Sequence, residues 1–205
     1  MRLLLVRHGD TEFNSSHRFM GCSDIELSPE GQHQIERLRD YLADDKIDAI
    51  YASDLTRTIT TADILNAKRN LRVIPCPELR EMDYGLCEGL TFREINENYP
   101  EVAEKCAYFN VSLEFPEGEA FKDFAKRTIT FLERLKTHKP ADTILVVSHN
   151  GPLKNLVCHF LGIDLEHWWQ IRIDTASLSI IDVTPRGAML SRLNDVAYLK
   201  KPGKN

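Results

Sequence analysis

Two histidines of this chain follow directly on short apolar runs. Leu3–Val6 leads into Arg7, His8 and Gly9, and Ile144–Val147 leads into the letters "SHNG". An apolar run bounded by turn signals is typical of a buried strand in a parallel sheet, which helices cover on both faces. An imidazole can act as a nucleophile, and a guanidinium holds an oxyanion through paired hydrogen bonds. The two patterns therefore predict chemistry at the ends of two core strands.

These two strand ends are predicted to form one anion pocket. In an open parallel α/β sheet, ligands bind at the carboxyl ends of the strands, where loops and helix N-termini gather. Gly9 and Gly151 follow the two histidines and would let a ligand approach the backbone. A helix beginning at Gly151-Pro152 would add unpaired N–H groups and a partial positive charge. We therefore expect His8, His149 and the neighbouring arginine to face a bound anion.

The elements that position these residues alternate along the chain. Ser28 is a predicted N-cap and Pro29 the first residue of an amphipathic helix. Predicted strands cover residues 3–6, 47–53, 71–76, 144–147, 177–183 and 187–195, and predicted helices cover 29–42, 55–65, 119–139 and the segment from Pro152 onward. This alternation predicts an α/β fold, a three-layer αβα sandwich in which helices cover both faces of a mostly parallel central sheet.

One region interrupts the alternation. From residue 79 to 118 the sequence loses its period, and short helical stretches such as "TFREINENY" stand between Gly, Pro and aromatic residues. We predict a small helical cap inserted over the sheet at about 82–118, within a single domain spanning 1–205. The predicted helix that follows has an apolar stripe expected to face the core, formed by Phe121, Phe124, Ala125, Thr128, Leu132 and Leu135.

The composition excludes several classes of function. A chain of 205 residues with 42% hydrophobic and 28% charged residues is typical of a soluble globular protein, and no apolar run is long enough to span a membrane. The net charge of -5, without a Lys/Arg block, argues against a nucleic-acid partner. Five scattered cysteines without a C-x-x-C pair are expected to be reduced, and no ligand spacing indicates a metal. We predict a cytoplasmic location, and the oligomeric state stays open.

Four motifs carry a family resemblance. The pattern R-H-G-x-T-x-x-N is formed by Arg7, His8, Gly9, Thr11 and Asn14, and it is accompanied by "ASDLTRT", "LREMDYG" and "VVSHNG". Together they resemble the histidine phosphatase superfamily, the phosphoglycerate-mutase-like group, over nearly the whole chain. Five fixed positions in eight would arise by chance in on the order of one in ten thousand such chains.

The resemblance implies a phosphohistidine mechanism. His8 would attack phosphorus, and water would then hydrolyse the phosphohistidine; the alternative is a core histidine bonded to a backbone carbonyl. Arg7 and Arg57 would hold the phosphoryl oxygens, with His149 as a further donor. The alternative for Arg57 is an exposed position on a helix surface, although the end of "ASD" would deliver it to the rim of the sheet.

The remaining site residues are also implied by the resemblance. Glu81 would be the general acid for the leaving alcohol and then the base for water, against the alternative of a solvated carboxylate. Asn14 would be a polar anchor near the phosphate, but the chemistry alone leaves a simple turn residue equally open. Gly21 and Asn150 would complete the phosphate-binding set. Neither a metal nor another cofactor is implied, because arginines and histidine supply the positive charge.

Two departures from the common pattern of the family stand out. Asp10 replaces a usual Glu outside the phosphate clamp, so we expect little effect on the chemistry. Cys87, in "YGLCEG", stands where relatives often carry an aromatic residue, which bears on the shape of the substrate pocket.

The resemblance implies hydrolysis of a small-molecule phosphomonoester. Within the family that the sequence resembles, mutases are longer chains with a bigger insertion and a C-terminal tail. This chain is short at both places, so the resemblance favours the phosphatase branch. The segments "EFPEGEAFKDFAKR", "HWWQIRIDTASLSIID" and "LNDVAYL" are most similar to α-ribazole phosphatases of cobamide synthesis, with phosphoserine phosphatases of this fold as close rivals. A pseudoenzyme that binds phosphorylated ligands without turnover is the alternative from another class, although no expected catalytic residue is missing.

Overall fold

The computed structural model describes residues 1–108 and 110–200. The predicted domain at 1–205 and the predicted cap at 82–118 therefore include positions outside the described residues. Six strands form one sheet: β1 (Arg2–Arg7), β2 (Ala49–Ala52), β3 (Val73–Pro75), β4 (Thr143–Ser148), β5 (Leu178–Thr184) and β6 (Gly187–Asp195). Their order is β3-β2-β4-β1-β5-β6, with parallel pairing from β3 to β1 and antiparallel pairing of β5 with both neighbours. The predicted mostly parallel sheet is confirmed.

Eight α-helices lie in the described part of the chain. They are α1 (Glu12–Ser15), α2 (Pro29–Tyr41), α3 (Thr56–Asn66), α4 (Phe92–Asn98), α5 (Pro100–Ala107), α6 (Phe121–Thr130), α7 (Leu132–Leu135) and α8 (Asn150–Leu161). Ser28 caps α2 by accepting a hydrogen bond from the Gly31 N–H, an interaction that stabilises a helix by about 1 kcal/mol. In the described chain, no helix has the length and apolar character needed to cross a membrane.

Alternate residues of the central strands pack on opposite faces of the sheet. Leu3 and Leu5 of β1 belong to a core cluster that includes residues of α7 and α8, whereas Leu4 and Val6 pack with α2 and α3. Burying one such side chain contributes about 1.5–3 kcal/mol relative to leaving it exposed. Helices therefore cover both faces, and the predicted three-layer αβα architecture is confirmed.

A third apolar cluster lies within the predicted cap region. Ile95 of α4 and Val102 of α5 pack there with Phe115. Phe121 and Phe124 of α6 belong to the same cluster, so the predicted stripe of this helix is buried partly against the cap segment. The helical cap therefore packs against α6 of the sandwich. The predicted bounds of the cap, at about 82–118, stay a prediction.

Three local expectations were wrong. The helix predicted at 119–139 divides into α6 and α7 at Phe131, whose N–H bonds to the Thr128 carbonyl three residues back instead of continuing a regular α-helical pattern. The helix predicted from Pro152 begins earlier, at Asn150. Helix α1 was not predicted, because four residues are too few to show an apolar period.

Candidate active site

The carboxyl ends of β1 and β4 bring the two predicted histidines together. The strands are parallel neighbours and pair Arg7 with Ser148, so His8 and His149 leave the sheet side by side. Their ring centroids lie 5.2 Å apart in an edge-to-face arrangement, and both side chains are buried. Sheet register thus places two residues 141 positions apart in one site.

The surroundings of His8 fix its protonation state. Its Nδ1 lies 2.7 Å from the Gly9 carbonyl oxygen, which can only accept, so Nδ1 carries the proton and Nε2 keeps its lone pair. Burial, followed by the positive charges of Arg57 and Arg7, lowers the pKa of His8 well below its ordinary value. The ring is therefore neutral near pH 7. A neutral imidazole with a free Nε2 can attack an electrophile.

Arg7 offers an unused hydrogen-bond donor beside this ring. Its Nη1 donates to the Ile173 carbonyl at 2.8 Å, whereas its buried Nε has no partner among the described residues. Burial lowers the pKa of Arg7, with Glu81 opposing the shift, but a guanidinium stays protonated in proteins. A buried charged donor without an acceptor is costly, and an anion would satisfy it.

Arg57 and His149 form a hydrogen-bonded pair that is fully buried. The Arg57 Nε donates to His149 Nδ1 at 3.2 Å, and its Nη groups donate to the carbonyls of Ser23 at 2.7 Å and Gly21 at 2.6 Å. His149 Nε2 then carries the ring proton and lies 2.9 Å from Ser53 Oγ. Arg57 is thus not the exposed residue of the alternative reading. In this structure both side chains bond to the protein itself and do not face the open site.

Glu81 is buried, with 5% of the residue exposed, so the alternative of a solvated carboxylate was wrong. Its carboxylate accepts the N–H of Met82 at 3.0 Å and that of Gly151, in the first turn of α8, at 3.1 Å. Burial raises the pKa of Glu81, while these two backbone bonds oppose the rise. A carboxyl group with a raised pKa keeps its proton to a higher pH than an ordinary glutamate does, and in that form it can protonate a leaving oxygen.

The two glycines after the histidines each leave room for neighbouring protein atoms. A Cβ on Gly151 would lie 2.3 Å from Glu81 Oε1, so this glycine makes room for the carboxylate. A Cβ on Gly9 would lie 2.5 Å from the Gly31 carbonyl oxygen, so Gly9 allows close packing against the start of α2. The expected role of both glycines in ligand approach stays a prediction.

An open cavity of about 630 Å³, here called the main cavity, lies at this end of the sheet. Five of the eight predicted site residues line it: Arg7, His8, Asn14, Glu81 and Asn150. The Asn14 side chain also accepts the Thr11 N–H at 3.2 Å in the capping box of α1, so it acts at least as a turn residue. Gly21, Arg57 and His149 are not among the lining residues.

Glu88 organises the loop that holds Arg57. Its carboxylate accepts the N–H groups of Gly21 at 3.0 Å and Cys22 at 2.9 Å, together with the Ser23 hydroxyl at 2.6 Å. The carbonyls of this loop are those to which Arg57 donates. Glu88 was not predicted as a site residue, although it directly follows Cys87 in "YGLCEG". Cys87 itself is buried in the cap cluster and lines neither the main cavity nor the neighbouring one beneath the cap.

Arg127 of α6 braces the segment that carries Glu81. It donates to the carbonyls of Arg80 at 3.1 Å and Glu81 at 3.2 Å, and its Nε and Nη2 each lie 2.8 Å from a Glu119 carboxylate oxygen. This role was not predicted, because an arginine beside an apolar helix stripe is usually solvated. Within the described ranges, no group of three or more His, Cys, Asp or Glu side chains is arranged to hold a metal ion.

Comparison with known proteins gives the family. Residues 3–196 match the histidine phosphatase superfamily (branch 1). Phosphoserine phosphatase 1 of Hydrogenobacter thermophilus is 34% identical over 97% of this chain and 94% of its own. The adenosylcobalamin/alpha-ribazole phosphatase of Escherichia coli is 32% identical over 96% and 97%. The crystal structure of the alpha-ribazole phosphatase from Shigella flexneri superposes with a TM-score of 0.89 at 32% identity, covering 96% of this chain and 97% of that one. This chain therefore belongs to the histidine phosphatase superfamily.

Proposed function

We propose that the protein hydrolyses small-molecule phosphomonoesters through a phosphohistidine on Nε2 of His8. One observation carries the proposal: a neutral His8 with a free Nε2 lines the same cavity as Glu81 and Arg7, whose Nε lacks an acceptor. The cavity thus combines a nucleophile, a donor for a phosphoryl oxygen and an acid.

The reaction has two balanced steps. His8 Nε2 attacks phosphorus, the bond to the ester oxygen breaks, and that oxygen takes a proton from Glu81 as the alcohol leaves. Water then attacks the phosphohistidine while the Glu81 carboxylate accepts its proton. The N–P bond breaks, inorganic phosphate leaves, and His8 returns to its neutral form. The raised pKa of Glu81 suits the first step, and its deprotonation in that step prepares the second.

Two arginines supply positive charge to the phosphoryl group, one in direct contact with it and one from further away. Arg7 makes the direct contact through Nε, and Arg57 stabilises the developing negative charge from its buried position. A direct contact from Arg57 or His149 requires their bonds to the 21–23 loop and to Ser53 to be exchanged for phosphate oxygens. Because these side chains supply the charge, we propose that hydrolysis needs no metal and survives exhaustive chelation.

Two substrates are the first candidates. α-Ribazole 5′-phosphate is suggested by the relatives named as alpha-ribazole phosphatases. Phosphoserine is suggested by the relative named as a phosphoserine phosphatase, whose sequence identity to this chain is similar. Release of inorganic phosphate from a panel containing both, and 3-phosphoglycerate, would rank them. Turnover lost on chelation and restored by magnesium, manganese or zinc would contradict the metal-free mechanism.

Trapping the intermediate tests the mechanism itself. Rapid quenching with a phosphate-labelled substrate should leave label on the protein that survives alkali and is lost in acid, as expected for phosphate on imidazole. The label should be absent in His8→Ala and present in His33→Ala, a control at an exposed histidine of α2. Tight binding of phosphomonoesters without label or phosphate release would favour the pseudoenzyme instead.

A further inference from the structure

A second cavity of about 260 Å³ lies beneath the cap and shares a wall with the main cavity. Phe19, Glu81, Tyr84 and Asn150 line both. Glu81 is the proposed proton donor to the ester oxygen, so the group attached to that oxygen extends from a point close to this shared wall. The second cavity is therefore placed to receive the leaving alcohol.

The walls of this second cavity, here called the aromatic chamber, are built from rings that contact one another. One set has centroid distances of 4.9–6.2 Å and the other of 5.0–6.0 Å. The first set comprises Phe19, Tyr84 and Phe115, and the second Phe121, Phe124 and Trp168. Protein interiors leave few voids larger than a water molecule, so a cavity of this size in the cap cluster is not a packing defect.

Among the described residues that line the chamber, Lys154 is the one cation. It follows Asn150 by four residues on α8, so it lies on the same helix face, about one turn beyond the shared wall. Its Nζ lies 5.0 Å from the centroid of the Trp168 ring. Lys154 takes part in none of the ion pairs of the described residues.

Among the described residues, Glu81 forms no ion pair with this lysine, although its charge opposes the effect of burial on the pKa of Lys154. Glu81 already accepts the Met82 and Gly151 amides, and it must be protonated when the alcohol leaves. Lys154 is partly buried, and this burial lowers the pKa of its ammonium group. An ammonium group in an apolar chamber gains more from an acceptor than one in water, because the local dielectric is lower.

We propose that the aromatic chamber binds a leaving alcohol built on an aromatic or similarly flat apolar ring, and that Lys154 Nζ donates to an acceptor on that ring. The proposal rests on the phosphatase activity proposed above and specifies the substrate class. A neutral ring nitrogen and a carboxylate share the required chemistry, whereas a cationic substituent would be repelled. Ring faces supply stacking contacts, and the lysine supplies orientation.

Three matched esters test the acceptor. Benzyl phosphate, pyridin-4-ylmethyl phosphate and 4-carboxybenzyl phosphate share one ring size and differ in the group that Lys154 would meet. We expect kcat/KM for the carboxylate ester to exceed that for benzyl phosphate by about tenfold or more, and the pyridyl ester to gain about threefold. Both ratios should fall to about one in Lys154→Met and Lys154→Gln. They should persist in Lys126→Met, which removes an exposed lysine of α6 outside the chamber.

A second pair of variants tests whether the chamber prefers an aromatic leaving group. Trp168→Ala should lower kcat/KM for benzyl phosphate relative to phosphoserine, whereas Trp169→Ala, the next residue and not a chamber residue, should leave that ratio unchanged. Wild-type ester ratios near one, ratios that survive both Lys154 variants, or phosphoserine outperforming every aromatic ester would overturn the proposal. If instead no ester labels His8 or releases phosphate, the proposed function itself fails.

Discussion

At the scale of single residues, two histidines with the same burial have different hydrogen-bond partners. His8 uses only Nδ1, on the Gly9 carbonyl, whereas both ring nitrogens of His149 are engaged, by Arg57 and Ser53. Burial lowers the pKa of both rings. The difference in free lone pairs, more than any difference in charge, therefore supports the proposed roles of His8 as nucleophile and of His149 as a support for Arg57.

The two roles of Glu81 can be separated by the leaving group. Glu81→Gln should slow phosphoryl transfer from alkyl phosphates by about 10²- to 10⁴-fold, the usual contribution of a positioned acid. 4-Nitrophenyl phosphate, whose leaving group needs little protonation, should suffer much less in that step. Without a base for water, the variant should accumulate phosphohistidine and show a burst of nitrophenol followed by slow turnover.

Rapid-quench kinetics would measure both phases, with Glu104→Gln as a control at an exposed carboxylate of α5. Equal losses with alkyl and aryl substrates, in a folded variant that still binds phosphate, would show that Glu81 is not the leaving-group acid.

The buried histidines also predict how stability depends on pH. His8 and His149 have lowered pKa values when folded, so the unfolded chain binds more protons below its histidine pKa of about 6.5. Their stabilising contribution is present above that pH and is lost as pH falls from about 6.5 toward the folded pKa values. The raised pKa of Glu81 acts in the opposite sense, since its contribution is lost as pH rises.

Urea denaturation at pH 7.5, 6 and 5 would measure this dependence. Each histidine adds up to about 1.4 kcal/mol per pH unit to the slope, so His149→Asn or His8→Asn should flatten it by about that amount relative to wild type. An unchanged slope in both buried variants would contradict the assigned protonation states.

At the scale of elements, the strands and most helices were predictable because their signals are local. The apolar runs before His8 and His149 mark β1 and β4, and the Ser28 cap marks α2. Parallel strand ends then bring the histidines together without further information. The contacts of Arg127 and Glu88 could not be predicted, because both residues bond to segments that are distant in sequence. These contacts depend on how the cap packs against the sheet.

Helix α6 contributes the brace for the proposed acid, and this can be tested. Arg127→Met should remove its bonds to the carbonyls of the Glu81 segment and to Glu119. A displaced acid should slow alkyl phosphates by about 10- to 100-fold in kcat while sparing 4-nitrophenyl phosphate and KM. Arg127→Lys should recover part of the loss.

Arg134→Met is the matched control, because Arg134 pairs with Glu78 near the same segment but donates to none of its carbonyls. Steady-state kinetics of the Arg127 and Arg134 variants with an alkyl phosphate and with 4-nitrophenyl phosphate, measured across the pH range, would test whether Arg127 positions the acid. Equal losses on both substrates, together with an unchanged alkyl pH profile, would reduce Arg127 to a general structural role.

At the scale of the whole molecule, topology places both cavities at one end of the sandwich. The central strands β1 and β4 deliver the histidines, α8 begins beside Glu81, and the cap adds the aromatic chamber. The chain near the end of the described region packs elsewhere. Tyr198 stacks on Tyr41 of α2, and the Leu199 carbonyl accepts a hydrogen bond from Arg37 of the same helix. The last described turn therefore does not cover the main cavity.

This arrangement predicts transfer of the phosphoryl group to water. A mutase must shield its phosphohistidine until a second substrate oxygen arrives, whereas the main cavity here is open and about 630 Å³ in volume. Incubation with 3-phosphoglycerate and catalytic 2,3-bisphosphoglycerate should therefore yield free phosphate and little 2-phosphoglycerate. Phosphorus NMR would follow both products in one sample, with His8→Ala as the inactive control. Formation of 2-phosphoglycerate faster than phosphate release from the best monoester would place the chain with the mutases, because the intermediate would then be protected from water despite the open cavity.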